Sequence, residues 1–371
     1  MKARVPWWQG VSASAAIVVA TVVSGCTGES AATACPDCTI ELTPVATLGR
    51  PTDSVLIDFT ATARRLSTGD FVAGSVFEST VLLYDSTGSY KRSYRRKGQG
   101  PGEVADVSAI AVGPGDSVYV ADGSNHRIVV LGPTLEFERE FRSPIDAADL
   151  AVLPDGRVVV EGRHPDAPDR LHIYSPAGDL LRSFAPSDGA SFEDIAVGGA
   201  MAPTATADAV WLSARNRLRA ESWTLDGVRT TVLQSTAPWF QPWDTVPAQW
   251  IAEMRPFSLV SVIQHSHAHD VLWVAAMAPD SLWSASRPRT GGEEQPVELA
   301  SSVIDDALRS RDTFLAAVDP RTGAVLAAHR SRDVLSAFVG PDLIARPRRT
   351  PEGAWSLDIL RIALRRPAPP G

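Results

Sequence analysis

Four short apolar runs, each closed by a tight turn, recur along the chain with a period of roughly forty to fifty residues, the spacing of propeller blades. Three copies open in the same way, with Ile110-Ala111-Val112, Leu150-Ala151-Val152 and Ile195-Ala196-Val197. The runs are alternating or fully apolar and bounded by turn residues, which is the signature of short strands rather than helices. A single four-stranded blade cannot bury both of its faces, so several must stack around an axis. The predicted fold is therefore all-β: a six-bladed β-propeller of four-stranded antiparallel blades, with the ring closed by an N-terminal strand.

Before the ring comes a three-part leader. Lys2 and Arg4 precede a mostly apolar stretch from Val11 to Val23, followed by small residues. That layout marks residues 1–25 as a secretory signal peptide, and the stretch is too short for a stable transmembrane span. Val23-Ser24-Gly25-Cys26 resembles the bacterial lipobox, which implies acylation of Cys26 after cleavage in front of it. Thr27 follows, so the resemblance implies an outer-membrane destination, on its periplasmic side or at the cell surface. Residues 26–45 are small, polar and aperiodic, and read as a flexible tether. Cys35 and Cys38 lie within it as a C-x-x-C pair. Thioredoxin-like redox work needs such a pair at a helix start near a βαβ unit, and neither is visible, so a local disulfide is expected.

The propeller is expected over residues 46–365, with a short tail at 366–371. Blades are placed at about 61–95, 107–141, 147–184, 192–233, 257–330 and 334–364. Turns such as Gly113-Pro114-Gly115-Asp116, Leu153-Pro154-Asp155-Gly156 and Tyr84-Asp85-Ser86-Thr87-Gly88 separate the strands, Gly and Pro supplying the backbone angles that tight turns require. The sixth copy shows three clear strands, and Ser54 to Phe59 is the segment expected to supply the fourth and close the ring. Closure removes the exposed sheet edges that invite aggregation.

Two motifs carry a family resemblance. Tyr119-Val120-Ala121-Asp122-Gly123-Ser124-Asn125-His126-Arg127-Ile128 resembles an NHL repeat, with the Asn-His/Arg-x-Ile element between the second and third strands. Lys97-Gly98-Gln99-Gly100-Pro101-Gly102-Glu103 is similar to the G-x-G-P-G-E segment of bacterial six-bladed propeller lipoproteins. The spacing extends this likeness over nearly the whole mature chain, while the full NHL signature stands only in blade two.

In an up-and-down blade the turns after strands one and three share one face, and the connections after strands two and four share the other. The first face collects short turns; the second collects the long connections, where binding residues on rigid scaffolds concentrate. The candidate binding face is accordingly Gln99, Glu103, Asp122, Asn125, His126, Arg127, Asp149, Asp194, Asn216, Trp239 and Trp243. Trp239, Phe240, Trp243, Trp250 and Phe257 alternate with prolines, as a stiff platform for a ligand or as rings packed beneath the loop. The insertion from Pro279 to Arg311 ends in a run, Pro296 to Leu308, with the spacing of a short amphipathic helix.

Asp149 and Asp194 each precede an expected innermost strand, and adjacent loops add Asn125, His126, Glu103 and Asn216; oxygen ligands converging from different blades could hold a calcium ion, which takes about six to eight of them. Calcium is the one ion this set suggests, and no other cofactor is indicated. Ala109 occupies the matching place in blade two, so the ring of ligands is incomplete. His265, His267 and His269 alternate as metal-like residues, but they fall on the short-turn face without a placed carboxylate.

A net charge of -8 leaves no electrostatic footprint for nucleic acid, and 44% hydrophobic residues allow a substantial core. No G-x-S-x-G elbow, Walker loop, dinucleotide fingerprint or H-E-x-x-H is present. The primary expectation is a monomeric cell-envelope lipoprotein that binds or scaffolds a protein, glycan or peptide, with no assigned catalytic residue. The alternative is a metal-assisted hydrolase or lyase at the channel mouth, since lactonases and amidating lyases of resembling folds use a metal there.

Overall fold

The computed structural model describes residues 34–53, 55, 57–58, 61–75, 79–186, 200–204, 206–243, 258–279, 311–350 and 353–367. The first strand, β1 (Thr39–Leu48), belongs to the last sheet. Blade one is β2 (Thr62–Arg65), β3 (Phe71–Ser75), β4 (Thr80–Tyr84) and β5 (Tyr90–Tyr94). Blade two is β6 (Ala109–Val112), β7 (Val118–Asp122), β8 (Arg127–Leu131) and β9 (Phe137–Arg142). Blade three is β10 (Asp146–Val152), β11 (Val158–Arg163), β12 (Asp169–Tyr174) and β13 (Leu180–Pro186). Blade four is β14 (Met201–Pro203), β15 (Ala209–Ser213), β16 (Arg219–Thr224) and β17 (Arg229–Gln234). Blade five is β18 (Leu259–Ser266), β19 (Val271–Pro279), β20 (Arg311–Val318) and β21 (Val325–Ser331). Blade six is β22 (Ala337–Gly340), β23 (Leu343–Arg349) and β24 (Trp355–Arg365), completed by β1.

Burial explains why the strands read as they do. Middle strands are covered on both faces by neighbouring blades, so β4, β7 and β15 are buried at every residue and are apolar nearly throughout. Outermost strands have one wet face, and β5, β9 and β13 carry Lys91, Arg92, Glu138 and Arg182 accordingly. The buried apolar side chains form clusters between sheets rather than within them. Val72, Val81 and Leu83 of blade one pack against Val118, Val120 and Val129 of blade two. The same arrangement repeats between blades three and four through Val159, Ile173, Val210 and Leu212. Gly178 turns the chain between β12 and β13 with φ +98°, and a Cβ there would meet Phe141 at 2.4 Å.

Ring closure differs from expectation in its segment. β1 pairs antiparallel with β24 from Thr39 opposite Arg365 to Leu48 opposite Leu357. Ser54 to Phe59 is not that strand: its Ile57 makes one isolated bridge to Trp355. The ten residues of β1 match the long β24, bury Ile40 and Leu48, and so outcompete a shorter segment. Ordered pairing thus begins at Thr39, inside the stretch read as a tether through residue 45. Cys35 and Cys38 form a disulfide just before it.

Blade four also corrects the reading. The strand paired with β15 is β14, Met201–Pro203, and not Ile195 to Val197. Residues 187–199 lie outside the described residues, and so do the leader and the run from Pro296 to Leu308.

Candidate functional site

The NHL-like hairpin of blade two is held by one buried carboxylate. Asp122, fully buried at the end of β7, accepts from the backbone N–H groups of Ala105 (3.2 Å) and Asp106 (3.1 Å). It also accepts from Asn125 Nδ2 (2.6 Å) and Arg127 Nε (3.2 Å). Arg127 in turn donates to the carbonyls of Glu103 (2.6 Å) and Gln99 (3.4 Å) and pairs with Glu140 (3.2 Å). Asn125 Nδ2 reaches the Gly98 carbonyl at 2.9 Å, and Glu103 folds back onto the Gly100 N–H at 2.8 Å. The G-x-G-P-G-E segment is therefore clamped onto blade two. Asp122, Asn125, Arg127 and Glu103 spend their polar atoms holding the face in shape, while Gln99 and His126 remain exposed on it.

At the axis the strands bring together a second group of charges. Arg64 of β2 donates through Nη1 to the Phe338 carbonyl of blade six (3.0 Å) and through Nη2 reaches Asp149 of blade three at 3.5 Å. Blades one and three are not neighbours in the ring, so this pair crosses the channel. The other Asp149 oxygen accepts from the Met201 N–H of blade four (3.1 Å), and Oδ1 also accepts from the Leu150 N–H (2.8 Å). Opposite Asp149 in register stands Glu161 of β11, paired with Arg170 at 2.8 Å. Arg215, between β15 and β16, interacts electrostatically with Glu161, Arg170 and Asp149, and its carbonyl accepts from Val260 of blade five (2.8 Å).

Desolvation dominates here. It pushes the Asp149 and Glu161 carboxyls above their ordinary values against the opposing pull of Arg64 and Arg170. It also lowers Arg64 and Arg215. Asp149 is one of the oxygen ligands offered for calcium; in the structure a guanidinium and two backbone N–H groups take its oxygens, so it does not suit a cation. Asp194, its expected counterpart, lies outside the described residues, and blade four's inner strand starts well after it. Among the described residues no three His, Cys, Asp or Glu side chains are grouped to hold a metal.

Sequence reasoning missed Arg64, Glu161, Arg170 and Arg215. A usable signal exists for two of them: Glu161 directly follows the apolar run Val158-Val159-Val160, and Arg170 directly precedes Leu171-His172-Ile173-Tyr174 of the third strand.

The aromatic segment is packed rather than presented. Trp239 stacks on Phe314 with ring centroids 4.2 Å apart and planes 2° from parallel, and Phe240 is buried. Trp243 donates its indole N–H to the Ser258 carbonyl (2.7 Å). Asn216 donates to the Trp243 carbonyl (2.8 Å) and accepts from its N–H (3.3 Å). Trp250 and Phe257 lie outside the described residues. Beneath Trp239 an apolar cavity of about 30 Å³ separates blades four and five, lined by Leu233, Ile263, Leu272 and Val318. That is room for about one water, so it is a packing gap and not a ligand pocket.

The histidines diverge. His265 lies in β18 edge-on to Trp211 (6.5 Å), and burial lowers its pKa. His269 lies in the following turn edge-on to Trp273 (5.8 Å), and His267 is exposed. The three do not form a metal site.

Residues 105–131 match the NHL repeat family. They span the Asp122 hairpin, the part of the chain with the full signature. No curated protein matches the chain. Among solved structures, a member of the DUF4221 family from Bacteroides vulgatus is 9% identical, covering 88% of this chain and 99% of that one with a TM-score of 0.60. A Bacteroides fragilis protein is 11% identical over 90% of this chain and 97% of that one, with a TM-score of 0.54. Virginiamycin B lyase from Staphylococcus aureus is 10% identical over 88% of this chain and 99% of that one, with a TM-score of 0.46. At such identities the first two likenesses concern fold alone. The chain is a six-bladed β-propeller containing an NHL repeat.

Proposed function

We propose that the chain is a cell-envelope lipoprotein, anchored through acylated Cys26 with the outer membrane as its destination, whose propeller binds a protein, glycan or peptide partner through the long-loop face. One observation carries the reading: the polar groups of that face are already committed to holding it rigid. Asp122 and Arg127 clamp the early loops, and Arg64, Asp149, Glu161 and Arg170 neutralise one another at the axis. A preorganised surface suits recognition, because less ordering entropy is lost on binding. A metal-assisted reaction would instead need Asp149 free of its arginine.

Photo-crosslinking in cells tests the binding reading. A crosslinking residue at Gln99 or Asp166, both exposed on the long-loop face, is expected to give partner adducts, whereas Asp155 in a short turn is not. Adducts from Asp155 alone, or from none of these sites, overturn it. A stoichiometric calcium ion in the purified protein, with a calcium-dependent rise in melting temperature, would restore the enzyme reading.

A further inference from the structure

We infer that the long-loop face is turned away from the anchoring membrane, so that its partner approaches from the aqueous side and is not a lipid of that bilayer. The inference rests on the anchoring of Cys26 proposed above, and adds to it the side of the ring from which the anchor pulls.

Strand direction fixes that side. First and third strands of a blade end on the short-turn face, and the fourth strand begins there. β1 takes the fourth place in blade six, with its first residue, Thr39, opposite Arg365, the last residue of the third strand. The chain therefore joins the ring on the short-turn face. Two contacts agree. The Ala34 N–H donates to the carbonyl of Val325 (2.9 Å), the residue that opens β21 just after the short turn at Asp319–Gly323. Past the end of β24, Arg366 donates to the His269 carbonyl (3.1 Å) in the short turn between β18 and β19.

The attachment is tight up to that point. The Cys35–Cys38 disulfide bends the chain, and Cys38 is buried with Ala327 and Leu364 between blades five and six. From Cys26 to Ala34 there remain eight residues, a reach of at most about 29 Å when fully extended. Rounding the rim to the other face would consume about 20 Å for the height of a six-residue strand such as β12 alone, before any clearance of the outer strands. The short tether thus holds the short-turn face toward the bilayer. Trp243, held at Asn216 and Ser258 on the far side, is placed outside membrane reach.

The test compares the two ends of β12 in the full-length, lipidated protein reconstituted into phosphatidylcholine–phosphatidylglycerol vesicles that carry an acceptor-labelled lipid. Ala177→Cys puts a single fluorophore in the short turn after β12, and Asp166→Cys puts one in the loop before it; both positions are exposed. With Cys26 acylated and Cys35–Cys38 oxidised, the new thiol is the one that reacts. Greater loss of donor emission from position 177 than from position 166 is expected. Equal or reversed transfer from vesicle-bound protein overturns the orientation while leaving the anchor standing. Protein that fails to sediment with vesicles, as Cys26→Ala is expected to, removes the anchor and the inference with it.

Discussion

Replacing Asp122 with Ala asks whether the NHL-like hairpin is a structural clamp. The carboxylate is wholly buried and accepts from two backbone N–H groups, Asn125 and Arg127. Removing one member of a buried, hydrogen-bonded ion pair costs about 3–5 kcal/mol. Arg127 keeps Glu140 and Asn125 keeps the Gly98 carbonyl, but the N–H groups of Ala105 and Asp106 lose this acceptor, so the middle of the range, about 4 kcal/mol, is the working figure. A domain of about 340 residues has an unfolding entropy near 0.7 kcal/mol/K, which converts the loss to a fall in Tm of about 6 °C. Scanning calorimetry or circular dichroism on the purified protein reads it. Ser124→Ala, at an exposed neighbour, is the control and is expected to change little. A fall below about 2 °C for Asp122→Ala would mean that the network does not hold the hairpin, and that these residues are available for a ligand after all.

Three further outcomes are expected. Arg64→Met and Asp149→Asn, measured singly and together by urea denaturation, should show a coupling of about 1–3 kcal/mol; additive losses would show that the cross-channel pair is incidental. His172 is buried, with its ring nitrogens on Ser183 Oγ and the Gly162 carbonyl, and burial lowers its pKa, so the unfolded chain binds a proton that the folded chain resists. Stability should therefore begin to fall as pH drops through about 6.5, the ordinary histidine value, and His172→Gln should make that limb shallower, the half-buried His265 supplying the rest; an unchanged profile refutes the assignment. Cys35→Ser opens a four-residue loop and should cost no more than about 2 kcal/mol, or about 3 °C in Tm, without unfolding the ring; a larger loss would show that the disulfide, not the pairing of β1, closes it.

The architecture was legible because its signals are local and repeated. Apolar second strands such as Val158-Val159-Val160 and turns such as Asp85-Ser86-Thr87-Gly88 recur at a fixed offset, and each copy reinforces the next. The closing strand was misplaced because it has no copy to align with: β1 is set by the length and burial of β24, a partner more than three hundred residues away in sequence. Only the inner strand of blade four was misplaced, because Ile195-Ala196-Val197 imitates the opening of the other blades, while the strand that pairs with β15, Met201–Pro203, has three residues and a proline. The candidate site was legible as a face but not as a set of partners. Nothing local in Thr62–Arg65 announces that Arg64 will reach across the axis to Asp149.

Place in the up-and-down register, more than residue type, separates the polar side chains that hold the ring from those left to meet a partner. Asp122 and Arg127 are register partners across β7 and β8, while in blade three Glu161 stands one residue earlier, in register with Leu171, and pairs with the neighbouring Arg170. In both blades an acid in the second half of the second strand and an arginine at the start of the third thus tie these two strands together near their connection. Blade four has Ser213 where the acid would stand, and Arg219, which opens β16, turns to Glu221 on its own strand. In blade five Arg311 opens β20 opposite Pro279, which offers no charge. Neither β15 nor β19 contains an acid to pair with the arginine that opens the next strand, and the connections between residues 243 and 258 and between 279 and 311 leave from these blades. Blades two and three supply a fixed platform, and variation in length on this face is concentrated beside it. Partner choice is accordingly expected to change with the loops of blades four and five while the fold is indifferent to them, which is the division that lets one scaffold serve different ligands.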